Sequence, residues 1–221
     1  KKGLFVSNAN PEKSDESKRK LKKALAFLAS GQAKSGRWQI KMSHINGQVV
    51  VASICGLAFI ADGSTPTKGP YKLQVGRALT FVRKAITAQG AFSSPSSGKK
   101  GNWNQSNWRW SFGGMFLAEC YACHKDPATK AKLQEVVRLL EGSQEESGGW
   151  GHGPGGPNAL GYVELEVMSN YALATMGMAR QLGCKVNAEK FEKGIAYVVK
   201  CVTKKGGVAY SPEQAAYRAR E

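Results

Sequence analysis

A short sequence motif recurs four times along the chain. It is complete, as Gln-x3-Gly-x-Trp, at residues 32–38 (QAKSGRW) and 144–150 (QEESGGW). Residues 86–92 (ITAQGAF) and 202–208 (VTKKGGV) keep the same frame with other residues. The four central glycines, Gly36, Gly90, Gly148 and Gly206, are 54, 58 and 58 residues apart. Self-similarity at a long, nearly fixed spacing is typical of repeat architectures, so the sequence predicts one supersecondary unit used several times.

An apolar stripe precedes each copy of the motif at identical offsets. The residues 15, 11 and 8 positions before each glycine are apolar in all four copies. They are Leu21, Leu25 and Leu28; Val75, Leu79 and Val82; Leu133, Val137 and Leu140; and Phe191, Ile195 and Val198. Steps of three, four and seven residues lie on one face of an α-helix. The sequence therefore predicts an amphipathic outer helix before each copy, with Ser14, Pro127 and Asn187 as start signals for three of them.

A second, almost wholly apolar segment follows each of the first three copies, at residues 47–61, 108–123 and 162–182. A helix that is apolar nearly all round is buried on most sides. Each unit is thus an outer helix, a glycine-rich loop and a buried inner helix, and the fourth unit ends before its inner helix is complete. We predict an all-α fold of about three and a half hairpins, with repeats at about 14–66, 67–126, 127–186 and 187–221 after an N-terminal extension at 1–13.

The two complete motifs resemble the repeat signature of squalene and oxidosqualene cyclases. The helix order resembles the α/α toroid that terpenoid cyclases share with protein prenyltransferase β-subunits, and the resemblance covers roughly residues 14–215. It implies an incomplete ring, closed by the rest of a larger protein or by a partner. It also implies that the motif residues are structural, as they are in the cyclases: Gln32, Gly36, Trp38, Gln144, Gly148 and Trp150.

The acidic motifs of the resembled enzymes are absent from this sequence. Its three aspartates, Asp15, Asp62 and Asp126, are far apart, so neither D-x-D-D nor D-D-x-x-D occurs. The D-x-C zinc pair of the prenyltransferases does not occur either. Since function belongs to sites rather than folds, the sequence favours a binding module over a working cyclase.

The charge of the chain is strongly basic, with 32 Lys and Arg against 16 Asp and Glu and a net charge of +16. Such a field attracts anions, whereas the sequence has no nucleic-acid-binding motif, which argues against nucleic acid. Most basic residues fall on outer-helix polar faces, but Lys99-Lys100 and Lys204-Lys205 lie in the motif loops and are candidates for anion contact. No apolar run is long enough for a membrane span. The compartment stays open, with export as one alternative if a signal peptide precedes Lys1.

The segment Cys120-Tyr-Ala-Cys123-His124 reads C-x-x-C-H, the pattern of covalent c-type haem attachment. Two thiols one helical turn apart, followed by a histidine, also suit zinc or redox chemistry. The competing interpretation is that these residues end an inner helix as core cysteines, because cysteine is often buried. We favour the core interpretation and predict no cofactor.

The glycine-rich stretch around His152 opens onto the third inner helix. Glycine-rich backbone before a helix N-terminus presents N–H groups to anions, and histidine serves as acid, base or ligand. Glu164 and Glu166 fall in the first turns of the predicted helix, on different sides. One hypothesis is a rim active site in which His152 and Glu164 or Glu166 act on an isoprenoid or polysaccharide. The other is a tight turn with a capping glutamate.

The long connections, at about 36–46, 90–106 and 148–160, must lie at one end of the hairpins. Long loops on a rigid scaffold are where binding sites usually lie. Indole and phenol rings beside amides suit a sugar or another flat ligand, although they also suit packing of the loop onto the rim. The predicted ligand contacts at this end are Trp103, Trp108, Trp110, Asn158 and Tyr162. We expect a binding module at the long-loop rim for an anionic or carbohydrate-like ligand, with the enzyme as the alternative.

Overall fold

The computed structural model describes residues 15–38, 45–88, 92–93, 103–154 and 164–218. The helices in these ranges are α1 (Asp15–Ser30), α2 (Ile45–Ala61), α3 (Lys72–Ala85), α4 (Ser106–Cys123), α5 (Pro127–Gly142), α6 (Glu166–Gln181), α7 (Ala188–Lys200) and α8 (Pro212–Arg218). Two unpredicted two-residue strands, β1 (Phe92–Ser93) and β2 (Trp103–Asn104), pair antiparallel before α4. The predicted all-α class is confirmed, and every helix of these ranges is too short or too polar to cross a membrane.

The helices form two layers. In the inner layer α4 packs between α2 and α6, and in the outer layer α3 packs against α2 and α4, and α5 against α4 and α6. The remaining outer helices, α1 and α7, pack against α2 and α6 respectively. The central helix α4 is buried along most of its length, whereas Ile54 of α2 and Ala174 of α6 are exposed. Among the described helices the core therefore runs along α4, with α2 and α6 on its two sides.

Glycines let the inner helices approach closely. A Cβ added at Gly56 of α2 would lie 2.4 Å from the ring of Phe116 in α4. A Cβ at Gly114 of α4 would lie 2.4 Å from Cγ2 of Thr175 in α6. At the same contact the Thr175 hydroxyl donates to the carbonyl of Ser111 at 2.8 Å. Small side chains at these positions therefore set the spacing of the inner layer.

Side-chain caps define the starts of two outer helices. Asp126 accepts hydrogen bonds from the N–H groups at the start of α5, with Pro127 as the first helical residue, and Asn187 caps α7. The Asp126 carboxylate also pairs with Arg83 of α3, with 2.7 Å between the charged atoms. Ser14 lies outside the described residues. These caps satisfy N–H groups that a helix cannot pair internally.

The third inner helix begins later than its apolar pattern predicts. The predicted start is residue 162, whereas α6 begins at Glu166. Before it, Leu165 forms an antiparallel bridge with Trp150, and its N–H donates to the Trp150 carbonyl at 2.9 Å. This pairing holds Leu165 itself in an extended conformation, so Glu164 precedes the helix and Glu166 opens it.

Candidate functional site

The glutamine of each complete motif reaches the outer helix that follows its own hairpin. Gln32 Nε2 donates to the Gln74 carbonyl of α3 at 2.9 Å. Gln144 Nε2 donates to the Lys190 carbonyl of α7 at 2.8 Å. The two loops therefore dock in the same way. Gln74 of α3 and Lys190 of α7 occupy equivalent positions in the two repeats.

The central glycine of the motif lies directly on that helix. Gly36 and Gly148 have φ angles of 87° and 98°, in the left-handed region that favours glycine. A Cβ added at Gly36 would lie 2.2 Å from the Arg77 carbonyl, and one at Gly148 would lie 2.5 Å from the Lys193 carbonyl. Both the backbone conformation and the contact therefore require glycine.

The tryptophan of each complete motif ties the loop to its own outer helix. The indole N–H groups of Trp38 and Trp150 donate to the carbonyls of Leu28 and Leu140, both at 2.7 Å. Trp150 is fully buried and Trp38 nearly so. Burying a ring of this size while bonding its N–H anchors the motif loop at the end of its own outer helix.

His152 is held by α4. The indole N–H of Trp108 donates to His152 Nδ1 at 2.7 Å, and the His152 carbonyl accepts from the N–H of Asn107 at 3.1 Å. The Trp108 ring also contacts the rings of Phe112 and Tyr171. Burial lowers the pKa of the imidazole, which favours its neutral form. His152 thus belongs to an aromatic cluster between α4 and α6.

The carboxylates predicted to act with His152 lie in other surroundings. Burial raises the pKa of the Glu145 carboxyl, and the Glu164 carboxylate raises it further by charge repulsion. The Glu164 charge also acts on the Tyr197 hydroxyl. Glu166 accepts a hydrogen bond from Asn170 one turn along α6. The contacts described for His152 thus come from α4, and those described for the two carboxylates involve Glu145, Tyr197 and Asn170. The acid/base role of His152 with Glu164 or Glu166 stays a prediction.

Two of the predicted aromatic ligand contacts are engaged within the protein. Trp110 is 3% exposed and donates to the Thr87 carbonyl at 3.2 Å, so it lies in the core. Its neighbour Arg109 is also buried and donates to the same carbonyl, which ties the end of α3 to α4. Trp108 is partly buried beside His152.

Several other predicted residues fall where the structure gives no side-chain contact. Trp103 lies in β2, and its side chain is outside the described part. Asn158, Tyr162 and Lys99-Lys100 also lie outside the described residues, whereas Lys204 and Lys205 are exposed in the loop after α7. Of the predicted ligand contacts, Trp108 and Trp110 therefore have described side chains.

The cysteine–histidine segment ends α4. Cys120 is 1% exposed in the hydrophobic core, Cys123 is partly buried, and the N–H of His124 donates to the Cys120 carbonyl at the helix end. Burial raises the pKa of both thiols, so the neutral thiol is favoured over the thiolate that binds metals. No group of three His, Cys, Asp or Glu in the described ranges is arranged to hold a metal ion. These features favour core cysteines.

A groove of about 1050 Å³ lies between the first motif loop and α3. Its apolar lining comes from the start of α2, from the turn between α2 and α3, and from α3: Ile45, Pro66, Leu73, Phe81 and Ala85. Five cations also line it: Lys34, Arg37, Lys72, Arg77 and Lys84. No carboxylate is found among the described residues that line this space. We call it the basic groove.

The five cations of the basic groove have no ion pair with another described residue. Arg37 donates to the amide oxygen of Gln48 at 3.2 Å, and this bond leaves its charge unneutralised. At the second junction, aligned through the glutamine bonds, Lys193 and Lys200 stand where the first junction has Arg77 and Lys84. The other three cations, Lys34, Arg37 and Lys72, are replaced there by Glu146, Gly149 and Ala188. These three residues give the first junction its excess of positive charge.

Over residues 17–221 the chain matches the family model DUF6288, described as a domain of unknown function. The chain belongs to the DUF6288 family. No curated protein and no solved structure matches it. For this DUF6288 domain, the site with the clearest chemistry is the basic groove, whose cations were not among the residues predicted from the sequence. The sign difference between the two complete motif loops, Lys34 against Glu146, is the sequence feature that points to it.

Proposed function

We propose that this DUF6288 domain is a ligand-binding module and that its ligand is an anion with an apolar part, held in the basic groove. The observation that carries the proposal is the set of five cations around an apolar lining without a carboxylate among its described residues. The groove opens where the first long connection leaves and rejoins the helices. It therefore refines the expectation of an anionic ligand at the long-loop rim.

The two parts of the groove call for two parts of a ligand. Leu73 is 55% exposed, and burying such apolar surface is worth about 25 cal/mol per Å². Each exposed cation paired with an anionic group adds about 0.2–1 kcal/mol, weakened by salt. Neither part alone provides tight binding. A ligand that carries a phosphate, sulfate or carboxylate on an apolar body uses both.

We also propose that the hairpins form an arc of an α/α toroid, as the resemblance to terpenoid cyclases and prenyltransferase β-subunits implies. The alternation of inner helices α2, α4 and α6 with outer helices supports this arrangement. A cyclase activity gains no support, because the acidic motifs are absent. The alternative of a rim enzyme also gains none, because His152 and Glu164 have different neighbours.

Isothermal titration with three probes tests the groove. Decyl phosphate monomer carries both features, inorganic phosphate only the charge, and decyl maltoside only the apolar chain. We expect decyl phosphate to bind most tightly and its affinity to fall with salt. Lys34→Glu with Lys84→Glu reverses two groove cations and should weaken its binding about tenfold at low salt, since each charge pair contributes about 0.2–1 kcal/mol.

The matched control reverses two exposed lysines outside the groove, Lys22→Glu with Lys200→Glu, and so makes the same change in net charge. It should bind decyl phosphate as the wild type does. If the two double variants weaken binding equally, the attraction comes from the overall charge and the groove is not the site. Equal affinity for decyl maltoside and decyl phosphate would also contradict the proposal.

A further inference from the structure

The hydroxyl end of Tyr197 in α7 lies against the second motif loop. A Cβ added at Gly149 of that loop would lie 2.7 Å from Cζ, the ring carbon that carries the hydroxyl. Tyr197 is 2% exposed, and its hydroxyl makes no hydrogen bond with a described residue. A buried polar atom without a hydrogen bond is uncommon in proteins and costs free energy. The Tyr197 hydroxyl therefore calls for an explanation other than packing.

The first junction shows that docking of a motif loop does not require this hydroxyl. Phe81 of α3 has the position that Tyr197 has in α7, because Gln74 and Lys190 are equivalent. Phe81 also contacts its loop, since a Cβ added at Gly36 would lie 3.0 Å from the Phe81 Cβ. The same type of loop thus docks on a phenylalanine, and the hydroxyl is an addition at the second junction.

Backbone hydrogen bonds bring carboxylates from three segments to this junction. Glu145 lies in the second motif loop, where its N–H donates to the Gly149 carbonyl at 3.0 Å. Glu166 opens α6, and its N–H donates to the Tyr210 carbonyl at 3.0 Å. This bond brings the segment that carries Glu213 to the start of α6. Residues that are far apart in the sequence therefore meet beside one loop.

The Tyr197 hydroxyl lies among these carboxylates. Burial raises the pKa of the hydroxyl, and the neighbouring acidic groups raise it further: Cys201, Glu164, Glu213 and Glu166. Glu164 also links Glu145 to the group, because repulsion between the two carboxylates adds to the effect of burial on the pKa of Glu145. We call Glu145, Glu164, Glu166 and Glu213 the acidic cluster.

The acidic cluster has no ion pair with another described residue. The side chains that bond to it are neutral: Asn170 donates to Glu166, and Ser211 bonds to Glu213. These bonds leave the negative charges in place, and like charges at short range repel. Because the chain has a net charge of +16, a cation is attracted only where carboxylates are in local excess. The acidic cluster is such a place.

The arrangement suits an ammonium ligand better than a metal ion. In the described ranges no three His, Cys, Asp or Glu side chains are arranged to hold a metal ion, so the carboxylates do not meet at one point. A primary ammonium group has three N–H donors, and carboxylate and phenol oxygens accept them. A ligand with two ammonium groups therefore bonds to acceptors that are too far apart for one metal ion.

From these observations we infer that the acidic cluster is a binding site for an organic dication with primary ammonium groups. One ammonium group would donate to the Tyr197 hydroxyl oxygen, and the carboxylates would neutralise both charges. This inference does not depend on the basic groove, whose charge is opposite.

Isothermal titration with two probes of equal charge tests the site. Hexamethylenediamine carries two primary ammonium groups, and hexamethonium carries two quaternary ammonium groups without N–H donors on the same carbon chain. We expect the diamine to bind the wild type at least about tenfold more tightly, because only its groups donate charge-assisted hydrogen bonds. Magnesium ion should bind more weakly than the diamine. Equal affinity for the two probes, tighter binding of magnesium, or no binding of the diamine would overturn the inference.

Two variants locate the binding. Tyr197→Phe introduces the residue that the first junction uses, so it should fold as the wild type does and weaken diamine binding about threefold or more. Glu145→Gln with Glu164→Gln should weaken it roughly fivefold at low salt. The matched control, Glu16→Gln with Asp62→Asn, makes the same change in net charge at two exposed carboxylates elsewhere and should bind as the wild type does. Circular dichroism establishes that each variant is folded. If the two double variants weaken binding equally, or if folded Tyr197→Phe binds as the wild type does, the site is not the acidic cluster.

Discussion

Alanine substitution at two glycines of the same loop type should separate backbone strain from docking. Gly148 and Gly206 have φ angles of 98° and 80° and equivalent loop hydrogen bonds. An alanine at either position adopts a left-handed conformation, which costs about 1–2 kcal/mol. Only at Gly148 does the new Cβ also meet a neighbour, the Lys193 carbonyl at 2.5 Å, whereas nothing lies within 4 Å of one at Gly206. Overpacking of this kind lowers the free energy of unfolding by a further ~1–3 kcal/mol.

We therefore expect Gly148→Ala to lower the free energy of unfolding by about 2–5 kcal/mol and Gly206→Ala by about 1–2 kcal/mol. Urea denaturation followed by circular dichroism measures both values. With an m-value of about 3 kcal/mol/M, the midpoint falls by about 0.7–1.7 M in the first variant and about 0.3–0.7 M in the second. Gly36→Ala, whose Cβ would lie 2.2 Å from the Arg77 carbonyl, should behave like Gly148→Ala. Equal midpoints for Gly148→Ala and Gly206→Ala would refute the reasoning that docking requires glycine.

Three further predictions concern single side chains. Gln144→Ala removes both hydrogen bonds of its amide nitrogen and should cost about 1–3 kcal/mol in urea denaturation, whereas Gln181→Ala, at an exposed position, should cost little. Burial lowers the pKa of His152, so the unfolded state binds more protons near its ordinary pKa of about 6.5. Stability should therefore fall as the pH drops below that value, and more in wild type than in His152→Gln; parallel pH profiles would contradict this. Native Cys120, buried and with a raised pKa, should resist iodoacetamide until the protein unfolds, and fast native labelling would contradict its core position.

The helices were largely predictable because their pattern reports local burial. The apolar offsets predict an outer helix before Gly148, and the structure has α5 at Pro127–Gly142. The second inner helix, predicted at 108–123, is α4 at Ser106–Cys123. The start of α6 was not predictable in this way, because the pairing of Leu165 with Trp150 decides it and joins segments whose contact no periodicity encodes.

The candidate site was harder to predict from the sequence, because it too depends on contacts between segments that are distant along the chain. Proximity along the chain predicts that His152 acts with Glu164 or Glu166, whereas the hydrogen bond that holds the His152 ring comes from Trp108 of α4, which no sequence pattern links to it. The cations of the basic groove come from a loop and from an outer helix, where lysine and arginine usually mean a solvated face. Only the packing of the loop at Lys34 against α3 makes them one charged surface.

The internal repeat also gives each junction a reference within the same molecule. Features that both complete junctions share, such as the glutamine bond and the left-handed glycine, are explained by docking and need no ligand. Features that differ between equivalent positions require another cause, because the fold tolerates either form. The basic residue Lys34 in the first motif loop and the acidic Glu146 at the equivalent position of the second are a difference of this kind. A lysine without an ion partner is not needed for the stability of such a fold, and this is why the anion-binding proposal is placed at the first junction.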